Sequence, residues 1–249
     1  MSGHSKWAGI KHKKAIIDAK RGKVWTKVVR EITIAAKIGG GDPSGNPRLR
    51  KALEDAKAAN MPAENSKRAV QKGTGELPGV DYVELTFEGY GAGGVALFCE
   101  ASTDNRNRTA NEVRQIYENN GGSMGQPGTV AFLFERKAFF TVKKDATTED
   151  ALMDIVIEIG AEDLKVEDDV FEIFAEPNAF DTVRKGLEAK GIATEMAEIT
   201  MIPKTTVACD KAVAIKVLKL IDALEDYDDI AKVYANFDIS EEIFASLEV

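Results

Sequence analysis

The chain has 249 residues, of which 44% are hydrophobic and 30% charged, enough for two or three globular domains with their own cores. Its formal net charge is -8, and no apolar run reaches the roughly 20 residues that a membrane-spanning helix needs. The basic start has no apolar segment behind it and so resembles no secretory signal, and we expect a cytoplasmic protein with no membrane partner. Cys99 and Cys209 each stand alone in an apolar stretch and are expected to be reduced core residues.

Charge is divided unevenly along the chain. Residues 1–79 contain 17 Lys and Arg against 7 Asp and Glu, a net charge of +10, whereas residues 80–249 carry -18. The first part therefore suits a polyanion, and the second part suits a basic protein partner. A solvated helix surface is the alternative for the basic part. However, residues 1–37 alone carry +8, and like charges at that density repel one another unless a partner neutralises them.

Three helices are predicted in the basic part. Apolar residues at helical spacing from Val24 to Ala36 predict the first helix, which ends at Gly39. The pair Asn46-Pro47 is typical of an N-cap followed by the first helical residue, and it begins the second helix. The third helix begins after Pro62. Trp25 lies on the apolar stripe of the first helix and is expected in the core.

Beyond residue 80 the pattern changes to strands. Residues 81–88 alternate with period two, residues 95–99 form a buried run, and a glycine-rich turn joins them. The glycines resemble a dinucleotide fingerprint, but that motif needs a helix after it and here a strand follows. In the next helix Thr109–Glu112 fits a capping box. The start of this helix, beside Arg106 and Arg108, either suits a phosphate or a carboxylate or is an ordinary solvated helix end.

No active site is predicted. The segment Gly121–Gly125 matches the G-x-S-x-G nucleophile motif, but it follows a helix rather than a strand, and the chain has no histidine after His12. Two histidines in all do not suggest a zinc site. The acidic runs Glu167–Asp169 and Glu225–Asp229 fall in predicted turns, where they are either solvated or available to a basic partner. The sequence therefore predicts no catalytic residue, no metal site and no cofactor.

The later elements predict an inserted domain. Strands are predicted at 130–134 and 139–142, and residues 138–200 follow the order β-α-β-β-α-β, which is ferredoxin-like. A final helix and a strand at 233–237 cannot enclose a core alone, so they are expected to complete the middle domain. The predicted fold class is α+β, with an N-terminal three-helix domain followed by two α/β sandwich domains, the last ferredoxin-like (βαββαβ) and inserted into the middle one. The predicted domains are a basic helical domain at 1–79, a discontinuous middle domain at 80–137 plus 201–249, and an inserted domain at 138–200.

Several short motifs together resemble the YebC family of transcriptional regulators. They are Gly3–Trp7, Ile10–Lys14, Asn60–Pro62, Glu88–Gly91, Thr103–Thr109 and Gly121–Gly125, the last running into Phe132 and Phe134. The resemblance covers the whole chain and implies three domains, an N-terminal helical domain and then two α/β domains around a cleft. It implies a cytoplasmic DNA-binding regulator. Mitochondrial relatives, however, are translational activators of cytochrome c oxidase, and some bacterial relatives are associated with the ribosome and with polyproline sequences. The nucleic acid is thus left open.

We predict a non-enzymatic, monomeric, DNA-binding regulator of transcription that docks on phosphates. The expected nucleic-acid-binding residues are Lys6, Lys11, His12, Lys13, Lys14, Lys20, Arg21, Lys23, Lys27, Arg30, Arg106 and Arg108. No row of Arg, Asn and Gln marks a base-reading helix, so strong sequence specificity is not expected. The alternative is a ribosome-associated translation factor, in which the basic domain binds rRNA and the acidic domains contact basic ribosomal proteins.

Overall fold

The computed structural model describes residues 21–167 and 169–246. The helices in these ranges are α1 (Arg21–Gly39), α2 (Pro47–Ala58), α3 (Ala63–Thr74), α4 (Arg106–Asn119), α5 (Glu149–Glu158), α6 (Phe180–Ala189), α7 (Lys211–Glu225) and α8 (Glu241–Ser246). The strands are β1 (Val83–Tyr90), β2 (Ala96–Thr103), β3 (Ser123–Met124), β4 (Phe134–Lys143), β5 (Asp163–Val166), β6 (Val170–Ala175), β7 (Met196–Pro203), β8 (Val207–Ala208), β9 (Ile230–Ala235) and β10 (Phe237–Asp238). Within this part of the chain, no helix has both the length and the apolar character that crossing a bilayer requires.

Helices α1, α2 and α3 pack together as a helical unit. Its buried core residues are Ile32, Ala35, Ala36, Leu49, Ala52, Ala56, Met61 and Ala69. The predicted cap of α2 is confirmed, because the Asn46 side chain accepts a hydrogen bond from the backbone N–H of Leu49 at 3.1 Å and Pro47 is the first helical residue. Trp25 packs against this core, as predicted, and its indole N–H donates to the carbonyl of Ala59 at 2.9 Å.

The middle unit is built on a sheet with the strand order β3-β1-β2-β9, in which every neighbouring pair is antiparallel. The glycine-rich turn between β1 and β2 closes a hairpin, as predicted. Helices α4 and α7 cover one face of the sheet, where Tyr117 and Leu224 pack against Leu97. Cys99 and Cys209 are buried in the same core as free thiols. Strand β9 comes from the end of the chain, so two separated segments make up this unit.

The inserted unit lies between these two segments and has the order β4-α5-β5-β6-α6-β7. Its sheet order is β5-β6-β4-β7 with antiparallel pairs, which is the ferredoxin-like arrangement. Helices α5 and α6 cover one face, where Leu152 and Leu187 meet Phe140 and Ile173. The predicted α+β fold class, with a ferredoxin-like unit inserted into the middle one, is confirmed. The domain boundaries given above stay a prediction.

The strand predicted at 130–134 is wrong. Residues Ala131–Leu133 form a 3₁₀ turn, and β4 runs unbroken from Phe134 to Lys143. The charged residues 135–137 fall between the two predicted strands, but in the structure they belong to β4, and two of them have acidic partners elsewhere in the chain. Arg136 donates to Glu100 at 2.9 Å and Lys137 to Glu162 at 2.7 Å. Charges that are paired in this way can be accommodated in a strand.

A buried carboxylate explains the turn that replaces the predicted strand. Glu88 is 4% exposed and accepts backbone N–H groups from Gly128 at 2.7 Å, Val130 at 2.7 Å and Ala131 at 2.8 Å. Three donors converging on one carboxylate hold residues 128–131 in a fixed loop, because separating them would leave buried polar groups without partners.

The capping box predicted at Thr109 is also wrong. Helix α4 begins at Arg106, and Asn105 caps it by accepting the backbone N–H of Arg108 at 3.1 Å. Thr109 lies inside the helix and is fully buried, with its hydroxyl donating to Asp229 at 2.6 Å. A partner that is distant in the sequence therefore determines the role of this threonine. In the same region, β9 occupies Ile230–Ala235 rather than the predicted 233–237.

Candidate nucleic-acid interface

A row of cations on α1 faces the middle unit. Lys23, Lys27 and Arg30 are spaced by four and three residues, which places them on one side of the helix. We call this row the α1 basic edge. All three side chains contact the segment Glu225–Asp229, which connects α7 to β9 and which we call the acidic turn.

The two lysines contact main-chain oxygens of the acidic turn. Lys27 Nζ donates to the carbonyl of Glu225 at 2.6 Å, and Lys23 Nζ donates to the carbonyl of Asp226 at 3.1 Å. The Asp226 carboxylate lies 4.0 Å from Lys23 Nζ, and these two side chains are 47% and 51% exposed. Water and salt therefore screen this ion pair, and it contributes little to the stability of the fold.

Arg30 makes the buried contact of the edge. Its Nη1 donates to Asp229 Oδ1 at 2.6 Å, to the carbonyl of Asp228 at 2.8 Å and to the carbonyl of Ser102 at 3.2 Å. The side chains of Arg30 and Asp229 are only 13% and 3% exposed, so their attraction is less screened than that of the Lys23 pair. The ring of Tyr82 lies 5.4 Å from the guanidinium carbon and adds a cation–π contact.

Asp229 joins three parts of the chain. Its Oδ2 accepts hydrogen bonds from Thr109 Oγ1 at 2.6 Å, Arg108 Nη2 at 2.9 Å and the Tyr227 hydroxyl at 3.1 Å. Burial alone would raise the pKa of Asp229, but the hydrogen bonds from Thr109, Arg108 and Arg30 outweigh it and hold that pKa well below its usual range. Burial raises the pKa of Tyr227 to about 12, so its hydroxyl stays protonated and can donate.

The two arginines at the start of α4 have different surroundings. Arg108 donates to Asp229 at 2.9 Å and to Asp104 at 2.8 Å, and these hydrogen bonds raise the pKa of its guanidinium. From the sequence, the start of this helix suited either a phosphate or a carboxylate. In the folded chain, Arg108 binds two carboxylates. Arg106 is exposed and forms no ion pair with any other residue in 21–167 or 169–246. Arg106 is therefore available to a partner, whereas Arg108 is engaged within the chain.

A second set of ion pairs joins the helical unit to the middle unit. Arg48 binds Glu31 through Nε and Nη2 at 2.6 and 2.9 Å, and it binds Glu84 through Nη2 and Nη1 at 2.7 and 3.2 Å. At the end of α1, Lys37 Nζ lies 2.7 Å from Asp81. The positive charge of the helical unit is thus partly neutralised by the same chain.

The structure describes only some of the predicted binding residues. Those outside its described ranges are Lys6, Lys11, His12, Lys13, Lys14 and Lys20, and for Arg21 only the backbone, at the start of α1, is described. Lys23, Lys27, Arg30 and Arg108 converge on the acidic turn, while Arg106 stands apart from them. Sequence reasoning also passed over exposed cations on α2 and α3, which are Arg50, Lys57, Lys67 and Lys72. Glu54, Asp55 and Glu64 lie among them in the sequence, so the net charge of this stretch does not mark them as a dense basic run.

The acidic turn departs in part from its predicted solvated state. Asp226 and Asp228 are exposed, as expected, but Asp229 is 2% exposed. One sequence signal could have predicted this contact. It is the basic row on α1, whose spacing makes it a candidate partner for an acidic run. Among residues 21–167 and 169–246, no three His, Cys, Asp or Glu side chains are grouped to hold a metal ion. Ser123 lies in the two-residue strand β3, which is not the strand–helix turn of a nucleophile elbow.

These features define a protein in which a basic helical unit is joined by ion pairs to the first of two α/β units, the middle unit. Two family models match the chain. The model described as the TACO1/YebC protein N-terminal domain matches residues 5–76, and the model described as the TACO1/YebC second and third domain matches residues 82–237. The chain belongs to the TACO1/YebC family, as the motifs predicted.

Similar proteins share the whole length of the chain. A protein of Elusimicrobium minutum named probable transcriptional regulatory protein is 52% identical over 248 residues, which are 99% of each chain. A protein of Persephonella marina with the same name is 54% identical over 245 residues, 98% of each chain. The crystal structure of the conserved hypothetical protein Aq1575 from Aquifex aeolicus matches with a TM-score of 0.82 at 48% identity, covering 96% of this chain and 98% of that one.

Proposed function

We propose that this protein is a non-enzymatic regulator of transcription that binds DNA through its basic N-terminal part. Full-length relatives named probable transcriptional regulatory protein support the regulatory role. The observation that carries DNA binding is the net charge of +10 over residues 1–79 of an otherwise acidic chain. Cations that neutralise phosphates release condensed counterions, which drives binding and makes it steeply salt-dependent. The proposal includes a cytoplasmic location.

The proposed contacts are made to phosphates by the cations named from the sequence, from Lys6 to Arg30, with Arg106 as a second anchor, since Arg108 is engaged by Asp104 and Asp229. Contacts of this kind position a protein on nucleic acid without reading its bases. Sequence preference would then be weak and would reflect the shape of the DNA rather than base-edge hydrogen bonds.

The environment of the buried carboxylate Asp229 supports a role without catalysis. A general base needs access to a substrate proton and a pKa near the working pH. Asp229 is 2% exposed, and its hydrogen bonds lower its pKa, so it meets neither condition. Its charge is instead matched by Arg30 and Arg108, which is typical of a structural carboxylate.

The contact between α1 and the acidic turn bears on the ribosomal alternative. One reason to consider a ribosomal partner is the acidity of residues 80–249, which suits basic ribosomal proteins. Part of that acidity, the acidic turn, already has a basic partner in Lys23, Lys27 and Arg30 of the same chain. We therefore propose DNA as the first target and treat RNA as the competing outcome of the test.

The first test measures the affinity for short DNA duplexes of several sequences over a range of salt concentrations. Lys13→Ala combined with Lys14→Ala is expected to weaken binding nearly uniformly across sequences, and each lost phosphate contact should reduce the slope of log K against log salt by about 1. The matched control is Lys216→Ala with Lys219→Ala, two exposed lysines of α7, which removes the same charge elsewhere. If the Lys13 and Lys14 variant binds like the control, the basic N-terminal part is not the binding surface.

A second test identifies the nucleic acid in cells. The tagged protein is crosslinked, and the DNA and RNA bound to it are recovered from one sample. The proposal expects DNA enriched at discrete promoters with little RNA. Crosslinks concentrated in rRNA, with DNA spread evenly over the chromosome, would instead establish the translation factor.

A further inference from the structure

The acidic turn offers the α1 basic edge the kind of groups that a nucleic acid would offer. Lys27 and Lys23 contact carbonyl oxygens at 2.6 and 3.1 Å, and Arg30 contacts a carboxylate oxygen at 2.6 Å. Negatively polarised oxygens beside a negative charge are also what a phosphodiester backbone presents to Lys and Arg. We propose that the acidic turn occupies part of the nucleic-acid-binding surface, and that a phosphate backbone binding to the α1 basic edge displaces it. This inference rests on the proposed function.

The outer part of the contact is suited to exchange. The Lys23 and Asp226 side chains are about half exposed and their charged atoms are 4.0 Å apart, so separating them loses little. A phosphate backbone has a higher charge density than the turn, and its binding also gains from counterion release. Exchange at Lys23 and Lys27 is therefore expected to favour the nucleic acid at low salt.

The inner part of the contact leaves one donor unused. Arg30 Nη1 is shared by three oxygens, whereas Arg30 Nε is buried and has no hydrogen-bond partner within the part of the chain that the structure describes. A buried N–H without a partner is unfavourable. Guanidinium groups commonly bind phosphate through two parallel N–H donors, so a phosphate could engage Nε together with an Nη.

Displacement of Arg30 would not leave a buried charge without partners. Asp229 would keep Arg108, Thr109 and Tyr227, which donate to its Oδ2 at 2.6–3.1 Å. Arg30 would move from one anion to another. We call the contact between the α1 basic edge and the acidic turn the joint. The joint can therefore open without the large cost of an isolated buried carboxylate.

The test compares affinity for a fluorescently labelled short DNA duplex between the wild-type chain and a variant with a neutral turn. Asp226→Asn with Asp228→Asn removes two exposed charges and keeps the main-chain carbonyls. Its matched control is Asp145→Asn with Asp154→Asn, which removes two exposed charges from the inserted unit. If the turn competes with DNA, the neutral-turn variant binds about 2- to 10-fold more tightly, as expected for the loss of one or two exposed charge interactions. The control changes affinity by less than about 2-fold.

Two further measurements show whether the gain arises at the joint. Adding Lys23→Ala and Lys27→Ala to the neutral-turn variant should abolish the gain in DNA affinity. The two positive charges for which the turn and the DNA compete are then absent. In the wild-type chain, DNA should speed amide hydrogen exchange at residues 226–230, where the N–H of Ile230 donates to the carbonyl of Tyr227.

The outcomes separate the inference from the proposed function. If the Lys13 and Lys14 substitutions weaken DNA binding but the neutral-turn variant matches its control, the protein binds DNA and the turn is only a structural joint. Slower exchange at 226–230 on DNA binding would overturn the inference in the same way. If neither the wild-type chain nor the neutral-turn variant binds DNA, both proposals fail. Binding by the neutral-turn variant alone would be the strongest support for competition.

Discussion

Asp229→Asn is the substitution that best tests the account of the joint between the helical and middle units. The side chain keeps its size but loses the charge that faces Arg30 at 2.6 Å and Arg108 at 2.9 Å. Arg108 retains Asp104 at 2.8 Å and is 42% exposed, so it loses little. Arg30 is 13% exposed and would remain as a buried cation beside a neutral amide.

The size of the effect follows from this burial. Removing one partner of a buried ion pair typically costs 3–5 kcal/mol, and because Arg30 keeps two carbonyl acceptors we expect about 3 kcal/mol at pH 7. The cost also depends on pH. The folded-state pKa of Asp229 is depressed below its ordinary value of 3.8, so the wild-type carboxylate stabilises the fold fully above that value. This contribution is lost as the pH falls below 3.8 towards the folded-state pKa, and the difference between variant and wild type should shrink there.

The assay is urea unfolding followed by tryptophan fluorescence, which reports on the helical part because Trp7 and Trp25 both lie in residues 1–79. The control is Asp104→Asn, which removes the other carboxylate bound to Arg108. That pair is 42% and 40% exposed, so its loss should cost less than about 1 kcal/mol. Equal effects of Asp229→Asn and Asp104→Asn at pH 7 would show that the buried Arg30–Asp229 pair stabilises the fold no more than an exposed pair does. A cost of Asp229→Asn that persists undiminished at pH 3 would show that the carboxylate charge is not its source.

Two other substitutions and one glycine control test contacts within the units. Gly73→Ala should destabilise the helical unit by about 1–3 kcal/mol in the same unfolding assay, because its Cβ would lie 2.4 Å from the carbonyl oxygen of Thr33. Gly45→Ala, whose Cβ would meet nothing within 4 Å, should change stability by less than about 0.5 kcal/mol. Glu88→Gln should cost about 2 kcal/mol and speed amide exchange at residues 128–131, since an amide offers one acceptor where three N–H donors converge. Unchanged exchange in that loop would show that the carboxylate does not hold it.

Features set by neighbouring residues could be predicted from the sequence. The pair Asn46-Pro47 fixes the start of α2 because an N-cap and a proline at the first helical position act within one turn. The ferredoxin-like order was visible because each strand and helix of the inserted unit carries its own periodicity. The start of β4 at Phe134 was not predicted, because the charges of Arg136 and Lys137 are compensated by Glu100 and Glu162, which are distant in the chain.

The joint could not be predicted for the same reason. Arg30 and Asp229 are 199 residues apart in the chain, and no local rule links a helix in the first unit to a turn in the second. Charge patterning marked the basic part as a surface that needs a negative partner, and it left the acidic turn either solvated or available to a basic partner. It did not show that each supplies the counterpart of the other, because charge alone does not distinguish a partner within the chain from one outside it.

This internal pairing changes what the charge asymmetry implies for binding. A free basic edge would gain the whole attraction of each phosphate it meets, and its affinity would fall steeply with salt. An edge that first has to leave the acidic turn gains only the difference between two attractions, and salt weakens both of them. Lys23, Lys27 and Arg30 should therefore contribute less to affinity and to its salt dependence than three unpaired cations would. In such an arrangement the acidic turn sets a minimum charge density for binding. Polyanions above that charge density open the joint, while weaker anions leave it closed.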